Sequence, residues 1–434
     1  MFDPKAEAMS ADERAALQQD RLRGMVDRLL AADGPQGRRL REAGVAGGAD
    51  VRLDDLPRLP FTTKRQLWDA YPFGMVAVPR EQVAAVHGSS GTKGRPTLVA
   101  YTRADLDLWA AMCARSLACA GADAASTVHN AYGYGLFTGG MGIHQGAVKL
   151  GATVVPLSGG MTERQVRMIA DLRPDVLTCT PAYALRLGEA AAEAGADVSS
   201  LRAGVFGAEP WSEELRAAIE AVLPLRALDI YGLSEIIGPG VATECLQQDG
   251  LHVNEDHFLV EAVDPATGEP VPDGAPGELV FTTPTKQALP LVRYRTGDIA
   301  SLTRGDCACG RTLVRMSKVM GRADDMLVVR GVNVYPSEIE RVLLGSGLVG
   351  PHYQIVVDRR VEAAVRLIVA CEAASAGRPG GDRSAELVRL LRADLGLHAE
   401  VALLPAGGVP RVEVGKAVRV VHWTEGAAPL PGLT

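Results

Sequence analysis

The chain has 434 residues, of which 47% are hydrophobic and 22% are charged, a composition typical of a soluble, enzyme-sized globular protein and too apolar for a disordered chain. The 45 Lys and Arg residues against 52 Asp and Glu residues give a formal net charge of −7, which argues against a general nucleic-acid or anionic-membrane binder. No apolar run approaches the roughly 18 residues of a membrane span, no signal peptide is evident, and the seven scattered cysteines indicate a reduced, cytoplasmic protein.

In chain order, the first half predicts helices followed by alternating strands and helices. Residues 11–43 carry apolar side chains at helical spacing, and Thr62 and Thr63 predict an N-cap before Arg65. Between residues 83 and 224, short β-rich runs alternate with helical stretches, which is typical of βαβ units on a mostly parallel sheet. The predicted strands are Val83–Val86, Thr153–Pro156, Val176–Cys179 and Ala203–Val205, and the predicted helices are Arg103–Ala120, Glu163–Asp171, Ala184–Ala194 and Ser212–Val222.

The second half predicts two further units. Four strand-like runs with Gly/Pro turns predict a β-rich subdomain at about residues 240–320, namely Leu259–Val263, Gly277–Thr282, Leu291–Tyr294 and Ile299–Thr303. The last hundred residues predict a compact α+β unit with a helix beginning at Pro336 and another at 384–395. We therefore expect an α/β protein with a large N-terminal domain of mostly parallel sheets over residues 1–322 and a small C-terminal α+β domain over 323–434.

The sharpest local motif is the run Ser89-Ser90-Gly91-Thr92-Lys93-Gly94-Arg95-Pro96 after a predicted strand. Hydroxyls, backbone N–H groups freed by glycine and two cations suit a polyphosphate, because consecutive N–H groups form an anion nest and Lys93 or Arg95 neutralises charge. The spacing is not that of a Walker A loop. Taken alone, such a loop is equally well interpreted as a flexible surface turn.

Five further segments follow this loop in a fixed order. They are Gly207-Ala208-Glu209-Pro210, Asp229-Ile230-Tyr231-Gly232-Leu233-Ser234-Glu235, Tyr294-Arg295-Thr296-Gly297-Asp298, Gly321-Arg322-Ala323-Asp324-Asp325 and Gly415-Lys416. The ordered set resembles the adenylate-forming superfamily of acyl-CoA synthetases and adenylation domains. The runs at 132–140, 158–166 and 330–336 make the chain more similar to its phenylacetate–CoA ligase group, although that group usually has Thr and Lys where this chain has Lys93 and Arg95.

The resemblance implies that a carboxylate reacts with ATP to give an acyl-adenylate and pyrophosphate, and that the acyl group then passes to the thiol of coenzyme A. The implied acid is an aryl acid of the phenylacetate or substituted benzoate type. One alternative is a free-standing enzyme that loads the phosphopantetheine of a carrier protein. The assembly that we consider is a homodimer. An alternative of another class is a non-catalytic nucleotide or acyl-CoA sensor, against which the retention of Glu235 and Lys416 counts.

Residue roles are carried over by motif position. The resemblance assigns the β- and γ-phosphates to Ser89, Ser90, Gly91, Thr92 and Lys93, and the rest of the nucleotide to Glu209, Pro210, Asp229, Tyr231, Gly232 and Ser234. Glu235 is assigned to Mg²⁺, Asp298 to the ribose hydroxyls, and Arg322 to the ribose or phosphate. Lys416 is expected to reach in from the small domain and stabilise charge on the attacking carboxylate and α-phosphate. Asp324 matches the hinge about which a mobile C-terminal domain rotates. Taken alone, Asp298 is equally a helix- or turn-capping residue and Lys416 a solvated surface lysine.

The resemblance also assigns a small, apolar acyl pocket that suits a flat ring. Its expected lining is Tyr132, Phe137, Ala208, Ile236, Gly238 and Pro239. Ordinary core packing is the alternative for Phe137 and for Ile236.

Two cysteine clusters in the predicted β-rich subdomain suggest a zinc site. Cys245, His252, Cys307 and Cys309 offer three thiolates and one imidazole, which satisfy the tetrahedral preference of Zn²⁺. Four protein ligands leave no open position, so the expected role is structural. Unliganded buried cysteines are the alternative.

Overall fold

The computed structural model describes residues 1–89, 96–323, 325–329, 332–361, 365–374, 382–431 and 433. The expected phosphate-binding residues Ser90 to Lys93 and the expected hinge residue Asp324 lie outside this set. In the part of the chain that is described, no helix is long and apolar enough to cross a membrane.

The N-terminal segment is helical. It contains α1 (Pro4–Glu7), α2 (Ala11–Ala32), α3 (Pro35–Glu42) and α4 (Lys64–Asp69), with short 3₁₀ helices at Gly48–Asp50, Leu53–Arg58 and Arg80–Gln82. A capping box of Ser10 and Glu13 starts α2. The helical pattern predicted over 11–43 is interrupted at Asp33, whose φ of 49° ends α2. Thr63 is the N-cap of α4, as predicted.

Strands and helices then alternate. The elements are β1 (Ala85–Gly88), β2 (Leu98–Tyr101), α5 (Arg103–Cys119), β3 (Thr127–Asn130), α6 (Thr138–Leu150), β4 (Thr153–Val155), α7 (Thr162–Leu172), β5 (Val176–Cys179), α8 (Pro181–Ala194), β6 (Ala203–Gly207), α9 (Glu213–Val222) and β7 (Arg226–Leu233). Strands β4, β3, β5, β6 and β7 are parallel neighbours in that order. The predicted βαβ units are therefore present from β3 onward, whereas the predicted strand Val83–Val86 overlaps β1, which pairs antiparallel with β2 in a separate two-stranded sheet.

After β7 the pairing becomes antiparallel. The next strands are β8 (Gly238–Glu244), β9 (Leu251–Val253), β10 (Leu259–Val263), β11 (Gly277–Thr282), β12 (Tyr294–Ala300), β13 (Leu302–Thr303), β14 (Arg315–Met316) and β15 (Gly321–Arg322). Four of them, β8, β9, β14 and β13, extend the parallel sheet to nine strands, whereas β10, β11, β12 and β15 form a separate sheet. The predicted β-rich subdomain is thus divided between two sheets, and the large sheet is parallel only up to β7.

One predicted strand is displaced. Leu291–Tyr294 was expected to be extended, but β12 begins at Tyr294. Arg293 has a φ of 43°, and its buried guanidinium donates to the carboxylate of Glu261 and to the carbonyl of Leu59. The positive φ interrupts the extended backbone at Arg293, so the strand ladder starts one residue later, at Tyr294.

The C-terminal part forms its own layer. It contains β16 (Leu327–Val329), β17 (Val332–Val334), α10 (Pro336–Gly345), β18 (Val349–Asp358), β19 (Arg366–Ala373), α11 (Arg383–Leu395), β20 (Glu400–Leu404) and β21 (Val420–Trp423). The sheet order is β20-β19-β18-β21, and Ile339, Ile355 and Leu387 belong to a hydrophobic core built from this part alone. This arrangement confirms the predicted α/β class with a large N-terminal and a small C-terminal part.

Candidate active site

The candidate site lies at the carboxyl ends of the parallel strands. Thr180 follows β5 directly, and Glu209 and Glu235 each lie two residues beyond the ends of β6 and β7. Open α/β sheets bind ligands at this edge, because the loops and helix N-termini that follow the strands converge there. The topology therefore brings groups that follow three separate strands to one edge.

Asp298, Tyr231 and Arg322 form a contacting triplet. The hydroxyl of Tyr231 donates to Oδ2 of Asp298 at 2.7 Å, and Nη1 of Arg322 donates to Oδ1 at 2.8 Å. The register of β12 and β15 places Asp298 opposite Arg322. Burial raises the pKa of Asp298, and the nearby guanidinium and phenol oppose that rise. A buried carboxylate with defined donors can accept hydrogen bonds from a diol.

Glu235 lies in the turn after β7 and is only 3% exposed. Nζ of Lys64 is 3.3 Å from its Oε1, and Nζ of Lys286 donates to its backbone carbonyl at 3.2 Å. Within the described residues, Oε1 accepts no hydrogen bond of good geometry. A buried carboxylate oxygen in this state is chemically suited to bind a hard cation such as Mg²⁺.

Lys416 reaches the same cleft from the C-terminal part. Desolvation lowers its pKa, and the carboxylates of Glu209, Asp298 and Glu235 counteract that effect. The residue is still accessible to solvent along the cleft. The ammonium group therefore lies in the field of Asp298 and Glu235, although it is more than a hundred residues distant from both in sequence.

Only the base of the expected phosphate loop belongs to the described residues. The N–H group of Ser89 donates to the carbonyl of Thr97 at 3.1 Å, and Oγ of Ser89 accepts from the N–H of Thr97 at 3.3 Å. Trp68 of α4 donates to Oγ1 of Thr97 at 2.9 Å. Residues 90–95 lie in the chain between the antiparallel strands β1 and β2. Hydrogen bonds join the ends of these strands to each other and to α4.

The remaining residues expected at the nucleotide lie in different surroundings. Asp229 is buried beside Trp211 and Lys318; burial raises its pKa to about 7, and the charge of Lys318 opposes the rise. Gly232 lies where β7 and β8 approach so closely that a Cβ atom would be 1.9 Å from the carbonyl oxygen of Gly238. Ser234 is buried, with its hydroxyl 3.3 Å from that of Thr138, and Pro210 is exposed.

The residues expected to line the acyl pocket fall into two groups. Tyr132, Ile236 and Gly238 are buried, whereas Phe137 is 51% exposed and Ala208 is exposed with a φ of 74°. The carbonyl of Pro239 accepts from the indole of Trp109 at 3.1 Å. A Cβ atom on Gly238 would lie 2.8 Å from the same indole, so this stretch packs against α5.

Three polar residues at the site were not predicted from the sequence. Lys64 is the first residue of a helix, where the dipole disfavours a cation, and this mismatch is a signal that sequence reasoning could have used. Lys286 is fully buried, and burial lowers its pKa to about 8. Thr180 precedes Pro181 at the start of α8, and its hydroxyl donates to the carbonyl of Gly415 at 3.0 Å. The roles of Lys286 and Thr180 depend on tertiary contacts that leave no local pattern.

A second cluster lies on the antiparallel side of the large sheet. The ligand atoms of Cys245, His252, Cys307 and Cys309 are all within 4.8 Å of one another. Sγ of Cys245 is 3.8 Å from Sγ of Cys307, and Sγ of Cys309 is 3.5 Å from Nε2 of His252. Arg311 donates to Sγ of Cys309 at 3.5 Å. The four residues predicted as a set are thus adjacent in space.

Comparisons with known proteins agree with the motif series. The family model described as AMP-binding enzyme matches residues 22–287, and the model described as AMP-binding enzyme C-terminal domain matches residues 331–423. A phenylacetate-coenzyme A ligase of Thermus thermophilus is 49% identical over 440 residues, covering 97% of this chain and 99% of that protein.

Solved structures of one ligase match this chain to different degrees. The 2-hydroxyisobutyryl-CoA ligase in its postadenylation state with 2-HIB-AMP has a TM-score of 0.88 and 29% identity, covering 96% of this chain and 91% of that one. The same ligase in its thioesterification state with 2-HIB-AMP and CoA has a TM-score of 0.71 and 30% identity, covering 97% and 92%. The two parts of this chain are therefore arranged more like the first state. Together these matches confirm that the chain belongs to the adenylate-forming superfamily of AMP-binding enzymes and resembles its phenylacetate–CoA ligases over nearly its full length.

Proposed function

We propose that the protein activates an aryl carboxylic acid, of the phenylacetate or substituted benzoate type, with ATP and transfers the acyl group to coenzyme A. The observation that carries this proposal is that Gly415 and Ala417, which flank Lys416, bind Thr180 and Glu209 at the same sheet edge as Glu235. Carboxylate adenylation requires three groups. They are a carboxylate that binds a cation, a carboxylate that binds a diol and a lysine from a separate layer, and Glu235, Asp298 and Lys416 match them in that order. The similarity to phenylacetate–CoA ligases over nearly the whole chain supports the acid and the acceptor.

In the first half-reaction, a carboxylate oxygen attacks the α-phosphorus of ATP and the bond to the bridging oxygen breaks, releasing pyrophosphate. Two anions must approach each other, so catalysis depends on positioning and on charge stabilisation. Lys416 supplies the positive charge between them, and Asp298 holds the ribose. Glu235 would hold Mg²⁺, which offsets phosphate charge when bound. Its buried Oε1, which accepts no hydrogen bond of good geometry within the described residues, fits this role.

In the second half-reaction, the thiol sulfur of coenzyme A attacks the acyl carbonyl, AMP leaves, and the thiol proton passes to solvent. Lys416 belongs to the C-terminal part and is needed only in the first step. We therefore propose that the C-terminal part rotates about the segment near residue 324 between the two steps. The similar 2-hydroxyisobutyryl-CoA ligase has been solved in both a postadenylation and a thioesterification state, which supports this proposal.

The acyl pocket that we propose is flat and apolar. Tyr132 and Ile236 offer buried side chains, and Phe137 offers an exposed ring that an aryl acid would cover. Rings packed against an aromatic acid favour a flat aryl acid over one with a charged side chain.

We further propose that Cys245, His252, Cys307 and Cys309 hold one structural Zn²⁺. A tetrahedral zinc ion with bonds of about 2.3 Å to sulfur and about 2.0 Å to nitrogen separates two sulfurs by about 3.8 Å, and a sulfur and a nitrogen by about 3.5 Å. The distances of 3.8 Å and 3.5 Å between the cluster atoms fit this shape. A disulfide, with sulfurs about 2.0 Å apart, does not fit it.

The test is a screen for acid-dependent ATP–pyrophosphate exchange across aryl acids, with fatty acids as controls. Each acid that supports exchange is then offered with coenzyme A and, separately, with a phosphopantetheinylated carrier protein. We expect exchange with aryl acids and thioester formation with coenzyme A. Transfer to the carrier protein alone would replace the acceptor, and no exchange with any acid would favour a nucleotide-binding sensor.

A further inference from the structure

The segment around Lys416 is bound to the large N-terminal part at three places. Glu413 accepts a hydrogen bond from the hydroxyl of Thr162 and lies 3.3 Å from Nε of Arg186. The carbonyl of Gly415 accepts from Thr180 at 3.0 Å, and the N–H of Ala417 donates to Oε2 of Glu209 at 2.6 Å. The last two contacts involve the two residues that flank Lys416 in the chain.

Thr180 and Glu209, which bind residues 415 and 417, are both held at the start of α8. Thr180 is the N-cap residue, yet its side chain makes no capping hydrogen bond within the helix. The free N–H of Ala182 instead donates to Oε1 of Glu209 at 3.0 Å. A helix N-terminus stabilises a carboxylate, and a Thr at this position ordinarily caps the helix itself. Because Glu209 takes over the cap, the hydroxyl of Thr180 is available for Gly415.

We propose that Thr180 and Glu209 are positioning residues for Lys416. Thr180 donates a hydrogen bond to the carbonyl of the residue before the lysine, and Glu209 accepts one from the N–H of the residue after it. These two bonds fix the direction in which the lysine side chain leaves the backbone. The inference rests on the proposed function of Lys416 in adenylation. Both carboxylate oxygens of Glu209 accept from backbone N–H groups, one of them next to Lys416, so in this proposal its contribution to catalysis acts through the lysine.

Glu209→Gln and Thr180→Val test the proposal. The amide of Gln offers one acceptor oxygen where two are needed, and its NH₂ group would face a backbone N–H. Misplacing a catalytic group by about 1 Å costs up to roughly 100-fold in rate. We therefore expect the maximal rate of ATP–pyrophosphate exchange to fall about tenfold or more in Glu209→Gln and several-fold in Thr180→Val. The KM for ATP and the rate of thioester formation from synthetic aryl-AMP should change less than twofold.

Three controls separate positioning from general damage. Thr180→Ser keeps the hydroxyl and should restore exchange. Glu189→Gln weakens another contact between the two parts, the 2.5 Å hydrogen bond between Glu189 and His352, without touching residues 415–417, and should leave exchange within twofold. In a Lys416→Ala background, Glu209→Gln should cause no further loss, because there is no lysine to position.

The outcomes distinguish this proposal from the function on which it rests. A further loss from Glu209→Gln in the Lys416→Ala background, together with a raised KM for ATP, would show that Glu209 contacts the nucleotide and would overturn the positioning role. Normal exchange in both Glu209→Gln and Thr180→Val, with Lys416→Ala inactive, would overturn the positioning role alone. Full exchange in Lys416→Ala would remove both the role of the lysine and the need to position it.

Discussion

The ammonium group of Lys64 lies 3.3 Å from Oε1 of Glu235, so an ion pair joins the start of α4 to the turn after β7. This cation occupies the neighbourhood of the oxygen that we propose as a Mg²⁺ ligand. Lys64 is partly exposed whereas Glu235 is buried. The helix that carries the lysine also contacts Thr97, which lies two residues after the segment 90–95 that we expect to bind phosphate.

Removing this competing charge should strengthen Mg²⁺ binding. In Lys64→Met we expect the Mg²⁺ concentration at half-maximal exchange to fall about fivefold, equivalent to about 1 kcal/mol of relieved competition. Arg65→Met is the matched control, because Arg65 is the exposed neighbour that faces Asp69 at 3.8 Å. The same Mg²⁺ dependence in wild type and Lys64→Met would count against Glu235 as the ligand.

Asp298→Ala should weaken ATP binding, because the ribose diol loses its paired acceptor. A lost hydrogen bond to a charged group costs roughly 1.5–3 kcal/mol, or about tenfold or more in affinity. Tyr231→Phe removes only one donor to the same carboxylate and should have the smaller effect. Calorimetric titration with ATP in the absence of acid measures both, and unchanged affinity in Asp298→Ala would remove this residue from the site.

Elemental analysis of protein never exposed to chelator should find about one zinc per chain. The double variant Cys307→Ser/Cys309→Ser should lose the metal and melt at a lower temperature, since an ion bound only by the folded state stabilises that state. Cys371→Ala, a buried cysteine in the C-terminal core, should keep its zinc. A native preparation without metal would refute the site.

The pH dependence of exchange should report on Lys416. Only the protonated lysine can stabilise two anions, and desolvation lowers its pKa below the ordinary value. The exchange rate should therefore fall as the pH rises through that lowered pKa, at a lower pH than an exposed lysine would give. In Lys416→Arg the guanidinium stays charged, so the alkaline decline should move to higher pH, and an unmoved decline would assign it to another group.

Helices with regular apolar spacing and three strands of the parallel sheet, β4, β5 and β6, were predicted from the sequence, whereas the parallel strands β3 and β7 were not. Helix α6 was not predicted either, because Gly142 and Gly146 lower its helix propensity. These glycines are needed for close packing against α5, where a Cβ atom would lie 2.6 Å from Trp109 or 2.4 Å from Cys113. Strand β8 was missed for a similar reason, since it begins with Gly238 and Pro239, residues that disfavour strands.

At the site, the motif order predicted which residues to examine, and chain-distant contacts determined what each one touches. The pairing of Asp298 with Arg322 follows from the register of two strands that lie far apart in the sequence. The contacts of Thr180 and Glu209 with residues 415 and 417 join separate layers. Local patterns carry no information about such docking, so Thr180 was not predicted and Glu209 was expected only to line the nucleotide.

The most direct test of the account compares both half-reactions in Lys416→Ala. Exchange of pyrophosphate into ATP and thioester formation from synthetic aryl-AMP and coenzyme A are measured on the same preparation, alongside wild type. Charge stabilisation of this kind supplies roughly 10²–10³-fold in rate. We predict a loss of this size in exchange and an unchanged rate of thioester formation. Equal losses in the two half-reactions, or no loss in either, would contradict a lysine that acts only in the first step.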